Sequence, residues 1–365
     1  MITGTEQKLL SPPPGQDRQE GGTADLDQLQ LLRLLKEAGI VVDPGGIEIL
    51  FERSARHRCT LVRDVRGSAW FIKRKGGAED VHGPSLAREI AFNSEFLMGD
   101  SAREISPHAP RYAGHDSDRV LVVEGFCDRR ALGDALFEYD MDSSVFRRLG
   151  GFLASLHEVP VGDPAATGVK NNPSPLLTHG HVTPAQLVNR PSAFAELLRL
   201  LQRAPSLNRR LRALRQAWSP VRLVHGDFKV DNILILEGDR RAAGFRVVDW
   251  EAFGIGDPDW DCAALIGSLY YLWVVHCFSS DEPGQLSERD VTRHVAAFLA
   301  GYEERAGTAL DQTRILAWAG YWITHKVIGR LMPSSPLSAH DLAAMHLAEQ
   351  LLENEPLPGN SPVPA

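Results

Sequence analysis

The 365-residue chain has only four cysteines, Cys59, Cys127, Cys262 and Cys277, and no Cys-x-x-Cys pair among them. That excludes a zinc ribbon or a dithiol redox centre and predicts reduced, mostly buried thiols. Histidines offer no metal pattern either: His157, His179, His181 and His225 lack the His-Glu-x-x-His spacing, so zinc is not implied. A basic excess is also missing, since 39 Lys and Arg face 47 Asp and Glu for a net charge of -8. A phosphate-tracking nucleic-acid surface needs clustered cations, so no nucleic-acid partner is expected. The residues from Met1 to Lys8 lack the basic start and apolar run of a secretory signal, and a cytoplasmic protein is expected. Long apolar runs are absent apart from residues 262–278, which are short for a bilayer span and contain Gly267, Ser268 and His276. This stretch reads as a buried core helix, and no membrane partner is expected.

What is present suffices for one large core or two lobes, with 43% hydrophobic and 24% charged residues. Residues 1–24 carry Ser11-Pro12-Pro13-Pro14-Gly15 and little apolar surface, and are read as a disordered tail. Asp25 is placed to cap a helix with Leu26, Leu29, Leu32 and Leu35 at helical spacing, ended by Gly39. Runs at 47–51, 59–65 and 69–73 are β-rich and joined by polar turns, which predicts an antiparallel sheet. A helix over 85–98 follows Pro84, with Leu86, Ile90 and Leu97 on one face and Gly99 beyond its end. A strand at 119–124 closes this part.

The hydrophobic period then becomes helical, with Val145, Leu149, Phe152 and Leu156 on one helix and Leu197, Leu198 and Leu201 on another. Brief strands are read at 222–225, 233–236 and 245–249. Further helices are read around 260–278, 291–305, 313–331 and 339–352. The aromatics Tyr270, Tyr271, Trp273, Trp318 and Trp322 fall on these helices, where packing accounts for them better than stacking on a substrate.

The polar ends of the short strands carry the chemistry. Moving a γ-phosphoryl group requires oxygen ligands for magnesium, a cation for the phosphates and a carboxylate that orients the acceptor hydroxyl. Asp227 follows a strand and precedes Asn232 by five positions, so one loop aims the carboxylate at a hydroxyl and the amide oxygen at a metal. Asp249 ends a strand just past a short hairpin, where its carboxylate is placed to meet Asn232 and share that metal. Either motif alone is common, because a strand-ending Asp often only caps a turn; the pair is the signal.

His225-Gly226-Asp227 with Asn232, then Val248-Asp249-Trp250-Glu251 and Gly256-Asp257-Pro258-Asp259-Trp260-Asp261, resemble the aminoglycoside phosphotransferase and choline kinase family. The resemblance implies an α+β, two-lobed protein-kinase-like fold, with an antiparallel β N-lobe, one key helix and a mainly α-helical C-lobe. It implies ATP and Mg2+ as cofactors. Asp227 is then the catalytic base, flanked by Lys229 and His225, with Asn232 and Asp249 as magnesium ligands and Asp261 bracing the loop. Phe71-Ile72-Lys73 resembles the strand whose lysine holds the phosphates, and Glu89 its ion-pair partner. Residues 120–126 resemble the hinge, with backbone near Glu124 and Phe126 binding adenine.

The turn Arg53-Ser54-Ala55-Arg56-His57-Arg58 lacks the Gly-x-Gly-x-x-Gly of protein kinases, and Ser54 and Arg56 are read as phosphate contacts in its place. By this reading residues 25–126 are an N-terminal helix with a nucleotide-binding β lobe and hinge. Residues 127–353 are the helical catalytic and acceptor-binding lobe, and 354–365 a flexible tail. The acidic group Glu251, Asp257, Asp259 and Asp261 has two readings, attraction of a cationic acceptor and, for two of its members, support of loop structure, and does not identify the substrate. Lys229 is instead similar to the Asp-x-Lys-x-x-Asn loop of Ser/Thr kinases, which favours a peptide hydroxyl. The Ser54-to-Arg58 turn together with Lys73 resembles kinases that modify Ser and Thr of precursor peptides in lanthipeptide-type or thioamitide-type biosynthesis, a branch that implies a lyase partner. The expected reaction is ATP-dependent transfer to a hydroxyl of a small molecule or of a peptide Ser/Thr. The competing reading is an inactive kinase-like binding module.

Overall fold

The computed structural model describes residues 33, 35–37, 47–54, 57–64, 66–75, 85–127, 129–138, 141–161, 192–202, 205–236, 244–279, 286–331 and 336–353. Both tails read from the sequence, 1–24 and 354–365, lie outside these residues, as does Pro84. Of the helix expected from Asp25, only Arg33, Leu35, Lys36 and Glu37 are described; all are helical, with Leu35 fully buried.

Strands β1 (Ile47–Ser54), β2 (His57–Asp64), β3 (Ala69–Lys75), β4 (Tyr112–Asp116) and β5 (Val120–Glu124) form one antiparallel sheet in the order β1-β2-β3-β5-β4. Burial concentrates at the middle of the sheet: Thr60, Leu61 and Val62 of β2 and Ile72 and Lys73 of β3 are buried in consecutive positions, with Val62 and Ile72 wholly so. The expected 85–98 helix is shorter. Helix α1 (Ser85–Ala91) widens into a π-turn over Phe92–Phe96, closed by the Leu97 amide donating to the Phe92 carbonyl at 2.9 Å. Such a turn re-aims the side chains beyond it, and here it presents Phe92 to the other lobe.

The second lobe is mainly helical. Its helices are α2 (Leu132–Glu138), α3 (Ser143–Glu158), α4 (Ser192–Gln202), α5 (Pro205–Gln216), α6 (Pro258–Ser279), α7 (Glu288–Ala306), α8 (Gln312–Leu331) and α9 (Ala339–Glu353). Capping follows the sequence: Asp142 accepts from the Ser144 amide before α3, and Ser287 with Asp290 forms a reciprocal capping box on α7. Helix α6 is apolar all round because it runs through the middle of the lobe, against α8, α9 and α7. It is the one described helix long and apolar enough to cross a membrane, and 61% of its apolar window is buried inside the protein.

Two small sheets rim this lobe. Strands β6 (Arg129–Ala131), β8 (Ile233–Leu236) and β9 (Phe245–Val247) form one; β7 (Arg222–Val224) and β10 (Gly254–Gly256) form the other. The loops leaving β7, β8 and β9 hold the residues singled out from the sequence. Glycine brings the lobe's two longest-packed helices together: a Cβ on Gly150 of α3 would lie 2.0 Å from the Phe298 carbonyl of α7, and one on Gly301 of α7 2.0 Å from the Arg147 carbonyl.

Candidate active site

The 225–232 loop starts where β7 ends and is held from beneath by Asp261, at the first turn of α6. The Asp261 carboxylate, fully buried, accepts from the His225 amide at 2.6 Å and the Gly226 amide at 2.8 Å. Two charge-assisted bonds to adjacent amides fix the entry to the loop. Gly226 takes φ 83°, a left-handed turn open to glycine, and its carbonyl accepts from the Trp260 indole at 2.9 Å. His225 is wholly buried. Its Nε2–H donates to the Val248 carbonyl at 3.1 Å, and its Nδ1 accepts from the Asp227 amide at 3.2 Å. Burial lowers its pKa, against the pull of Asp261 and Asp227, which agrees with this neutral tautomer. His225 therefore ties the loop to the chain just before Asp249, and its ring is closed off from solvent.

Asp227 is half-exposed. Its Oδ2 accepts from Lys229 Nζ at 2.5 Å and from Asn232 Nδ2 at 3.0 Å. Asn232 Nδ2 also donates to the Asp227 carbonyl at 2.9 Å, which leaves Oδ1 as the amide's remaining ligand atom. Burial alone would lower the Lys229 pKa; the adjacent Asp227 carboxylate reverses that, so Lys229 stays charged. Across the hairpin the Val248 amide donates to the Asn232 carbonyl at 2.9 Å, which registers Asp249 beside the loop. The expected strand to 249 ends at Val247, and Asp249 adopts a left-handed conformation, φ 67° and ψ 58°. That bend, rather than a strand end, points its carboxylate at the other lobe.

Lys73 of β3 meets that carboxylate. Its ammonium lies 2.6 Å from Asp249 Oδ1, 2.7 Å from Glu89 Oε2 and 2.9 Å from Glu251 Oε2. Burial would depress this lysine, and the three carboxylates raise it well above the ordinary range instead. Burial raises Glu89, opposed chiefly by Lys73. The carboxylates of Glu89, Asp249 and Glu251 lie within 4.8 Å of one another; the ammonium at their centre accounts for that convergence without an ion. The Asp249 end of the group is framed by rings, as Trp250 stacks on Phe92 at 3.8 Å between centroids and Phe253 meets Phe92 edge-on at 4.8 Å. Glu89 and Phe92 are one turn apart, so this stack and the Lys73 contacts align the two lobes together.

Lys73, Glu89 and Asp249 close one end of a cavity of about 200 Å³ lined also by Cys59, Phe71, Val123, Glu124, Phe126 and Val248. The Glu124 amide donates to the Arg111 carbonyl at 2.8 Å, and Glu124 and Phe126 both line the cavity. Ser54 ends β1 opposite Arg58, and Arg56 lies outside the described residues. A second cavity, about 370 Å³, opens at Asp227 and Lys229 and is walled by Trp322, His325, Lys326, Gly329 and Arg330 of α8.

The acidic group does not face that second cavity, which corrects its reading as an attractant for a cation. Glu251 is on Lys73 and near His57. Asp257 and Asp261 are fully buried; Asp257 and Asp259 pair with Arg314, and Asp257 also accepts from the Ser219 amide at 3.0 Å. The α8 wall escaped sequence reading because an apolar helix hides which of its polar residues faces inward; Glu251, two positions past Asp249, carried a local signal.

These features define a class: a two-lobed, kinase-like phosphotransferase. Residues 140–316, just under half of the chain, match the model of the phosphotransferase enzyme family. No curated protein sequence matches the chain. Among solved structures it is similar in fold to an amicoumacin kinase complexed with AMP-PNP, Ca2+ and its antibiotic (16% identity, TM-score 0.54, 89% of this chain and 94% of the other). It is similar also to a spectinomycin phosphotransferase with ADP and spectinomycin (14%, 0.51, 89% and 96%). A third is a choline kinase from Streptococcus pneumoniae (13%, 0.51, 89% and 99%). At such identities the likeness concerns the fold.

Proposed function

We propose that the chain transfers the γ-phosphoryl group of ATP to an acceptor hydroxyl. One observation carries this reading: Lys73 of the sheet and Asp249 of the helical lobe converge at 2.6 Å at the end of one cavity, while Asp227 and Lys229 open the other. Asn232 links the two through its bonds to Asp227 and Val248.

The apolar cavity suits adenine, with Phe126 rather than the Glu124 amide as the backbone contact, and its Lys73 end suits phosphates. Asn232 Oδ1 and the Asp249 carboxylate are hard oxygen donors of the kind magnesium takes. When bound, the ion would neutralise charge on the phosphates. Asp227 accepts the proton of the acceptor hydroxyl as that oxygen bonds to the γ-phosphorus and the bridging oxygen leaves with ADP. Lys229, bonded to Asp227 Oδ2, holds that carboxylate at the mouth of the acceptor cavity. His225, Asp261 and Trp260 hold the loop and touch no reacting atom.

The acceptor is a small molecule, as in the antibiotic and choline kinases of similar fold, or a peptide Ser/Thr, which the Lys229 spacing supports. Incubation with Mg-ATP and candidate acceptors followed by intact-mass analysis tests the reading. Product gaining one phosphate, lost in Asp249→Ala, is the expected result. A folded protein that binds ATP yet neither phosphorylates any acceptor nor hydrolyses ATP would instead be the binding module.

A further inference from the structure

Resting on the phosphotransferase reading of Asp227, we propose that the acceptor carries an anionic group, a carboxylate or phosphate, close to the hydroxyl that is modified. Among the described residues, the polar wall of the cavity of about 370 Å³ consists of Lys229, Lys326 and Arg330 with His325, and Asp227 is its single carboxylate. That carboxylate is committed to Lys229, Asn232 and the hydroxyl. A cationic acceptor would therefore find no countercharge among the described residues of the wall.

The aromatic alternative is closed as well. Trp322 is the cavity's one aromatic wall residue, and the Lys326 ammonium stands 5.9 Å from its ring centroid. A quaternary ammonium needs that face for itself; a cation of the chain already holds it. Lys326 has one loose counterion, Asp231 at 3.9 Å, with both groups substantially exposed. Such a pair is weak and yields readily to an anion inside the cavity. Arg330 is fixed by Asp341 and by the Pro336 carbonyl at 3.0 Å, so its position on the wall is set without ligand. His325 Nδ1 is buried with no hydrogen-bond partner. Burial lowers its pKa, opposed by Asp227 and aided by Lys326 and Lys229, so it serves as a neutral ring rather than a counterion. Apart from Asp227 and the neutral His325 ring, the polar groups of the wall are the cations Lys229, Lys326 and Arg330, and oxygen-rich anions are the ligands that satisfy such a set.

Ligand-detected NMR with calorimetry tests this on the full chain in the presence of Mg-AMP-PNP, using hydroxyl compounds sorted by charge. The probes are N-acetylserine, N-acetylserinamide, glycerol 2-phosphate, choline and kanamycin, plus one Ser peptide with flanking Glu and its Gln counterpart. We expect an anionic probe to bind at least ten-fold tighter than its neutral partner. We expect Lys326→Glu to erase that ratio and Lys326→Arg to retain it. Preference for N-acetylserine or the phosphate over the Glu peptide marks a small acid as the source, and the reverse marks an acidic peptide. Equal or tighter binding of choline, kanamycin or the neutral partners, or no anionic probe binding below about 10 mM, overturns the proposal. Binding needs no turnover, so anion preference without phosphoryl transfer would sink the catalytic reading alone, and transfer confined to neutral or cationic acceptors would sink this one alone.

Discussion

At the scale of the residue, Asp227 is the group whose charge the proposed chemistry uses directly. Asp227→Asn keeps the shape and the Asn232 contact to the main chain while removing the proton acceptor. Transfer should fall by roughly 10²- to 10⁴-fold with an unchanged circular dichroism spectrum; a loss under three-fold in a steady-state assay would show that another group takes the proton. His225 makes a different prediction. Its pKa is depressed in the folded state by burial, so between its unfolded value and the lower folded one the unfolded chain binds the extra proton. Its contribution to stability is therefore full above about pH 6.5 and is lost as pH falls below that value. Urea unfolding at pH 7.5 and 5.5 should show wild type losing more stability on acidification than His225→Gln, which retains a donor for the Val248 carbonyl. Parallel losses would mean that His225 does not drive the slope.

At the scale of the element, the crossing of α3 and α7 depends on the absence of side chains at Gly150 and Gly301, where an added methyl would collide with the partner backbone. Backbone cannot swing aside as a side-chain tip does. Gly150→Ala or Gly301→Ala should destabilise by about 1–3 kcal/mol or more, read as a lower urea midpoint; a midpoint within error of wild type would mean that the helices separate freely. The elements also show what was legible beforehand. Strands β1 to β3 and the helices of the second lobe were readable because alternation and helical spacing repeat along them. Strands β4, β6 and β10 and helices α2 and α5 were not, since three to seven residues hold too little pattern and α5 is mostly arginine and leucine. Local sequence could place Asp227, Asn232 and Asp249 through their spacing. It could not show that Glu251 joins Lys73, because residues 178 apart meet only through the lobe contact.

At the scale of the whole molecule, the lobes are joined where Lys73 meets Asp249 and Glu251 and where Phe92 stacks on Trp250. A ligand that fills the cavity at this junction ties both lobes together, so Mg-ATP should raise the melting temperature in a concentration-dependent way. The stabilisation amounts to about 2.7 kcal/mol at a ligand concentration of 100 times Kd. Lys73→Ala should shrink the shift at equal ATP and lower kcat/KM for ATP; because it also leaves three carboxylates facing one another, the shift is read against the variant's own melting temperature without ligand. A wild-type protein whose melting temperature is indifferent to Mg-ATP would remove the nucleotide from the first cavity.

The left-handed backbone of Asp249 has a genetic consequence. Only Gly, Asn and Asp enter that conformation without large strain, and of these Asp alone is charged. Codons for Asn and for Gly each lie one base change from those for Asp. A single transition can therefore convert this chain into a folded protein that keeps its loop geometry and loses the carboxylate proposed to hold magnesium, whereas most other changes at this codon impose strain as well. Inactive, stable descendants of this protein would be expected to carry Asn or Gly at position 249, a pattern open to saturation mutagenesis scored separately for abundance and for turnover.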